Sequence, residues 1–400
     1  MELWKRNLFV CWIGMFFSSI GMSQIAPILP LYIKQLGVTD VSLIQQYSGI
    51  IFGCTFVVAA FFSPIWGKAA DKYGRKSMLL RASIGMGIVI FTMAFVQNVY
   101  QLLGLRILQG VFTGYATACT TLIATQTDKN HSGWALGTLA TASTTGSLIG
   151  PTVGGYIESI LGLKSTFIIT GGLLFVSFII SILFVVDNFK PKEIKESISI
   201  PKEQLNILPN KFLIASIFVT TFITQLALYS IEPIVTIYIS QLTNFASNVA
   251  LIAGLTFSAS GLANLLAAQK LGKMSDKIGP QKVLLISLLW AGIIFIPQAF
   301  VKTAWQLMLL RFLLGLSVAG LNPSVNSLLK KIAPEEYVGK IFGYNASAQY
   351  IGCSSGAFLG GQISAHLGIR TVFFSTSLLL FMNALWMYKF TGLFIKDKTK

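Results

Sequence analysis

GKAADKYGRKSMLL, from Gly67 to Leu80, is a short charged stretch between two long apolar runs. Its first ten residues hold five charges: Lys68, Asp71, Lys72, Arg75 and Lys76. The pattern returns as GKMSDKIGPQK over Gly272–Lys282. Gly67 to Gly272, Asp71 to Asp276 and Gly74 to Gly279 each span 205 positions. A charged loop repeated at half the chain's length points to tandem duplication of one membrane unit. The second copy departs at two positions, where Pro280 and Gln281 replace Arg75 and Lys76.

Other stretches keep the same offset. Pro27, Tyr32 and Gln35 recur 206 positions later as Pro233, Tyr238 and Gln241. Tyr100-Gln101-Leu102 with Arg106 recurs at 205 as Trp305-Gln306-Leu307 with Arg311. Gly146-x-x-x-Gly150 recurs at 206 as Gly352-x-x-x-Gly356. Leu161-Gly162-Leu163-Lys164 returns, again at 206, as Leu367-Gly368-Ile369-Arg370.

Composition places these units in lipid. The 400 residues are 54% hydrophobic and 11% charged, with a mean hydropathy of +0.71. Soluble domains carry about 25% charged residues, so a chain this apolar has no way to cover a watery surface. Apolar runs of about 20 residues, enough to cross a core of about 30 Å, recur twelve times along the sequence. The net charge of +16 raises nucleic acid as a partner, but its distribution argues against it. Alternate loops and both tails hold 24 of the 30 basic residues, and the other loops hold only Lys34, Lys164, Lys302 and Arg370. That asymmetry is the positive-inside pattern. It predicts an even number of spans with both termini in the cytoplasm.

The first block, about Leu8 to Leu36, has Gln24, Pro27 and Pro30 in its outer half. Lys5-Arg6 before it looks like the start of a signal peptide, but no small-residue cleavage site follows, so it is read as a retained span. The segment 187–210 is polar, with Pro191, Pro201 and Pro209, and reads as a cytoplasmic linker between bundles over 1–186 and 211–400. Cys11, Cys54, Cys119 and Cys353 lie in apolar runs without metal spacing, and His131 and His366 are far apart, so no metal or cofactor is expected. No Gly-x-x-x-x-Gly-Lys-[Ser/Thr] occurs to bind ATP. Nothing in the sequence points to an enzyme.

The loop Gly67–Lys76, Arg106-x-x-Gln109-Gly110 and Gly146-x-x-x-Gly150-Pro151-x-x-Gly154-Gly155 resemble three motifs of the major facilitator superfamily, drug:proton antiporter branch. Further likeness to bacterial multidrug-resistance exporters of that branch lies in Trp4–Leu8, Ser63–Gly67, Ser132–Leu139 and Val372–Phe374. The resemblance covers the whole chain. It implies two pseudo-symmetric six-helix bundles around a midplane cavity, an all-α membrane fold. It also implies proton-driven export of a small molecule by alternating access, from a monomer in the bacterial cytoplasmic membrane.

The resemblance assigns roles, and the residues themselves admit plainer ones. Gly67, Asp71, Gly74, Arg75 and Lys76, with Gly272, Asp276 and Gly279, would form an inner gate. An Asp71 carboxylate is favoured at a neighbouring helix N-terminus, where free amides and the dipole attract an anion. The plain alternative is a basic anchor with a turn glycine. Arg106 would belong to the proton-coupling machinery, or would bond neighbouring carbonyls, as buried charges in membranes must. Arg311 reads as structural. Gly146, Gly150, Pro151, Gly154 and Gly155 form the motif the branch carries in exporters, and small residues let helices approach closely.

Glu232 is the one acid well inside an apolar run, and Ala26 takes its place in the first half. A carboxyl among apolar groups is stabilised by holding a proton, which suits a reversible proton carrier; an idle carboxylate at a wet outer mouth is the alternative. Gln24, Gln109, Thr113, Thr117, Gln225, Tyr229, Asn322 and Asn345 are the expected lining of the substrate cavity. With no carboxylate in the first block, a neutral amphiphile or an anion such as a citrate-type siderophore stays open beside a drug-like cation. A non-transporting membrane sensor is the alternative from another class.

Overall fold

Each of the twelve apolar blocks is helical in the computed structural model, and three are broken, which gives fifteen α-helices among the described residues. The described residues are 2–128, 131–187, 211–244, 248–332 and 338–397; the side chains of Asp71, Lys211, Asp276, 338–340 and 390–397 lie outside them. Most of the expected linker over 187–210 is therefore outside the description. Among the described residues there is no strand.

The first block is α1 (Leu3–Ser23) and α2 (Ile25–Gln35), bent by 46°. Proline causes the bend: Pro27 lacks the amide hydrogen that would bond the Ser23 carbonyl. Next come α3 (Val41–Tyr73) and α4 (Arg75–Met93), then α5 (Val99–Phe112) and α6 (Tyr115–Gln126). The first half closes with α7 (Ser132–Leu161) and α8 (Leu163–Phe184). The second half opens with α9 (Lys211–Tyr229) and α10 (Val235–Leu242), parted around Pro233, while the first block is parted at Gln24, three residues before the matching Pro27. It continues with α11 (Val249–Ile278), α12 (Pro280–Gln298), α13 (Ala304–Ile332), α14 (Val338–Leu367) and α15 (Ile369–Asp397).

Nine described helices are long and apolar enough to span a bilayer, ten with α1 and α2 taken as one; α5 and α6 count as a single span. The expected twelve are short by α7 and α14. Each is 30 residues long, but both are rich in Gly and Ser where the others carry Leu and Ile. Their low hydropathy follows from their packing role, described below.

The charged stretch is not a loop. α3 runs through Gly67 to Tyr73 and α4 begins at Arg75, so only Gly74 interrupts the helix. Gly74 has φ +85°, and Gly279, between α11 and α12, has φ +92°. Such a φ is open to glycine and strained for residues with a Cβ. Gly67 and Gly272 differ: a Cβ at either meets nothing within 4 Å.

By Cα proximity the chain divides into two units, 1–194 with 235–258, and 195–234 with 259–400. In the first, α1 packs on α7 and α8, and α4 on α8 and α5. The same unit includes α10 against α2. In the second, α9 packs on α14 and α15, and α12 on α15 and α13. These are the same pairings displaced by half a chain. Matching atoms make them: a Cβ added at Gly146 would lie 2.6 Å from the Phe16 carbonyl oxygen, and one at Gly352 would lie 2.6 Å from that of Phe222. Both pairs are related by 206 positions. The outer helix faces present large apolar side chains, as lipid contact requires. Tyr100 and its repeat mate Trp305 are 71% and 74% exposed, the aromatic anchoring expected at a membrane interface.

Candidate functional site

In the first unit the buried charge is Arg106 on α5, 2% exposed. Its Nε donates to the Ile51 carbonyl at 3.3 Å, and its Nη1 donates to Gln109 Oε1 at 2.6 Å. The guanidinium carbon lies 5.7 Å from the Phe52 ring centre. Gln109 in turn donates to the Met22 sulfur at 3.2 Å, and the Thr55 hydroxyl donates to the Arg106 carbonyl at 3.0 Å. No carboxylate is within ion-pair distance of Arg106 among the described residues. The cation is thus held by neutral dipoles and a ring face, which bear its charge less fully than a carboxylate would.

Seven positions after Arg106 the helix breaks, where the sequence suggests one continuous run. Thr113 is extended at ψ 155° and Gly114 has φ +124°. The break strands carbonyls that would bond amides one turn ahead. Trp66 Nε1 donates to the Val111 carbonyl at 2.7 Å, and Arg81 donates to the carbonyls of Val111 at 3.2 Å and Thr113 at 3.3 Å. Arg81 also lies 3.7 Å over the Trp66 ring. The Thr113 hydroxyl turns back onto the Gln109 carbonyl at 2.9 Å, and Thr117 is exposed. Gln24 sits at the α1–α2 bend, 2% exposed, and donates to Thr170. Thr113 meets the Arg106 cluster only at the Gln109 backbone, and Thr117 and Gln24 do not join it.

In the second unit polar groups form a chain. Asn322 Oδ1 accepts from Gln225 Nε2 at 3.3 Å, and the Cys353 thiol donates to Gln225 Oε1 at 3.8 Å. Tyr229 ends α9, one turn after Gln225. Glu232 lies partly buried in the turn between α9 and α10, in the same unit as Arg311 on α13. Arg311 is 4% exposed. The sequence treats Arg311 as structural and sets Glu232 beside Arg106 in role; the structure places Glu232 and Arg311 in one unit and Arg106 in the other. Asn345 is buried on α14 outside this chain. The glycine motif of α7 continues the seam on α1, with Gly150 against Ile20 and Gly154 against Gln24. Gly155 meets Ala250, and the Pro151 carbonyl meets Gly254, in α11.

At the charged turn, the side chains of Asp71 and Asp276 lie outside the described residues. The anion bound to a helix N-terminus there is Asp187, which sequence reading leaves in the linker. Its Oδ2 accepts from the amides of Arg75 at 2.8 Å and Lys76 at 3.0 Å, and the Lys76 ammonium donates to the Ile182 carbonyl at 3.0 Å. Nearby, Asn7 is fully buried and binds Gln126 at 2.6 Å and the Val186 carbonyl at 2.7 Å, tying α1, α6 and the end of α8. A lone Asn in an otherwise apolar segment was the available signal for it; Asp187 and Arg81 carry none at sequence level.

Among the described residues the two units hold two buried arginines, the partly buried Glu232 carboxylate and a short polar chain. The profile of the Major Facilitator Superfamily matches residues 11–267 and 217–398. The chain is 44% identical over 385 residues to Multidrug resistance protein MdtG of Salmonella arizonae, covering 96% of this chain and 95% of that one. The same protein of Salmonella newport matches equally, at 44% over 385 residues. Among solved structures, a bacterial homologue of the lysosomal transporter Spinster, inward-facing and unoccupied, superposes with TM-score 0.79 at 13% identity, over 99% of this chain and 98% of that one. The nucleoside transporter NupG gives TM-score 0.77 at 14% identity, over 98% and 99%. The human organic anion transporter MFSD10 gives 0.71 at 15%, over 97% and 100%. These last three speak to the fold alone. With its two matching halves and a close relative along nearly its whole length, this chain belongs to the major facilitator superfamily and is a multi-pass membrane transporter of small molecules, not an enzyme.

Proposed function

We propose that the chain is a proton antiporter that exports a small amphiphilic molecule across the bacterial cytoplasmic membrane, both termini inside. The observation that carries this reading is the placement of an acid and a buried cation in one unit: Glu232, partly buried in the turn between α9 and α10, and Arg311, 4% exposed on α13. Ionised, Glu232 offsets Arg311; protonated, it leaves the arginine charge unbalanced in a poorly polarisable surround. Proton binding therefore changes the local charge by one unit, and a substrate that senses that charge is coupled to the proton. The multidrug-resistance name of the relatives supports export of drug-like molecules.

The bundles over 1–186 and 211–400 act as the two bodies that rock, joined by the linker 187–210, and the transporter works as a monomer. Asp71 and Asp276 with their neighbouring basic residues form the inner gate, so Asp71→Asn slows transport without loss of membrane insertion. The glycine motif on α7 forms the close seam that the motion uses. A dedicated exporter of an endogenous anion is the second reading, and a specific observation favours it. Arg106, buried in the first unit, has no carboxylate within ion-pair distance among the described residues, so the charge it presents stays positive whether or not Glu232 is ionised.

The test is efflux from loaded cells. Export of the probe should stop when a protonophore collapses the proton gradient, and Glu232→Gln should lose the dependence of efflux on external pH. Efflux that survives the protonophore would contradict proton drive. A normal pH profile in Glu232→Gln would move the proton site elsewhere, first to the Arg106 cluster.

A further inference from the structure

We propose that a cavity at the end of the first unit remote from Gly74 is a second ligand site, which takes a small organic cation with an apolar body. α3 runs 33 residues from Val41 to Tyr73, about 50 Å at 1.5 Å per residue, so the cavity beside Val41 and the Gly74 turn lie at opposite ends. The cavity holds about 400 Å³, and every residue that lines it belongs to the first unit. Ligand pockets run from about 300 to 1,000 Å³. Its walls include Pro30, Leu31, Ile237 and Val249, and its charged groups are Glu158 and Lys34.

Glu158 is placed where it does its own helix no good. It sits in the last turn of α7, at the negative end of the helix dipole, where a carboxylate is disfavoured. Its Oε2 is buried and has no hydrogen-bond partner among the described residues. A bound cation offsets the carboxylate charge in both respects, and a neutral apolar molecule offsets it in neither. Lys34 does not reverse the preference. It is exposed at the rim, where water and salt screen it, while Glu158 is partly buried and acts through a less polarisable medium. Asp40 is close in sequence but committed, since its carboxylate accepts from the amides of Ser42 at 2.7 Å and Leu43 at 3.4 Å at the start of α3. The cavity is lined from α2, α3, α7, α8, α10 and α11, and shares no residue with the Arg106 cluster or the Glu232 chain. That the site faces the outside rests on the orientation proposed above.

Thr39 lines the cavity and is exposed, which makes it a reporter. Cells carrying Thr39→Cys are labelled with a membrane-impermeant maleimide, and cells with the parent protein give the baseline from the four native cysteines. The probe is benzyltrimethylammonium; neopentylbenzene is its uncharged isostere. The cation should slow labelling severalfold and the isostere should not. Glu158→Gln should raise the concentration for half-protection about tenfold, and Lys34→Gln should lower it about threefold. The opposite signs guard against a folding artefact, which would not strengthen binding. Labelling unaffected by the cation, equal protection by the isostere, or unchanged protection in Glu158→Gln would each overturn the site. If Thr39→Cys reacts only in everted vesicles, the orientation has failed instead, and the same protection assay there still decides the site.

Discussion

Arg81 shows how far a single residue's role can lie from its sequence context. In the sequence it is one more cation on the basic side. In the structure it stacks on Trp66 and bonds two carbonyls freed by the break at Gly114. Arg81→Met keeps much of the stem but leaves a buried carbonyl wanting, a loss of about 1–3 kcal/mol, to be read as a lower midpoint of thermal unfolding in detergent. Arg81→Lys should recover only part of it, because an ammonium cannot match a planar fork stacked on a ring. Asp187 makes a parallel case at the N-terminus of α4. Asp187→Ala should destabilise by about 0.5–2 kcal/mol, and Asp187→Asn by less, since it keeps an acceptor and loses only the charge. Neither partner was legible beforehand. Asp187 lies 112 and 111 positions from the amides it accepts from, and no local pattern encodes such a pairing. Pro27 and Pro233 were legible, because a missing amide hydrogen acts within one turn of its own helix.

Among the elements, the helix pair α1–α7 and its counterpart α9–α14 carry the clearest sequence signal. The glycines of α7 and α14 were readable as packing residues because only a missing side chain allows backbone contact at that distance. The same reading failed for the charged stretch, where spacing suggested a loop and the chain stays helical but for one residue. Its two glycines look alike in sequence and differ in the structure. Gly74→Ala, forced to positive φ, should cost about 1–2 kcal/mol, whereas Gly67→Ala has open space and should be neutral or slightly stabilising. Comparable losses from both would remove the distinction. On the seam, Gly146→Leu and Gly352→Leu should impair folding to similar degrees, because each meets the matching carbonyl on its partner helix. The break at Gly114 was not legible: Ala319 stands at the matching position, α13 runs through unbroken, and an isolated glycine inside a span is common enough to carry no signal.

For the whole molecule, membrane class and duplication followed from averages that no single residue controls, which is why they were readable with most certainty of outcome. Hydropathy set the membrane, the offsets of 205 and 206 set the two halves, and the basic loops set the expected orientation. The candidate site was legible as a set of residue types and not as a set of pairs. Glu232 stood out, but Arg311, in the same unit, was 79 positions away on another helix and looked structural. The account's central claim is that a proton moves against the substrate. The most direct measurement places purified protein in vesicles, imposes a pH gradient, and follows lumenal pH as a cationic dye or an iron-free citrate siderophore is added. The account predicts substrate-dependent proton flux with at least one of the two, abolished in Glu232→Gln. Transport of either molecule with no accompanying proton flux would contradict it.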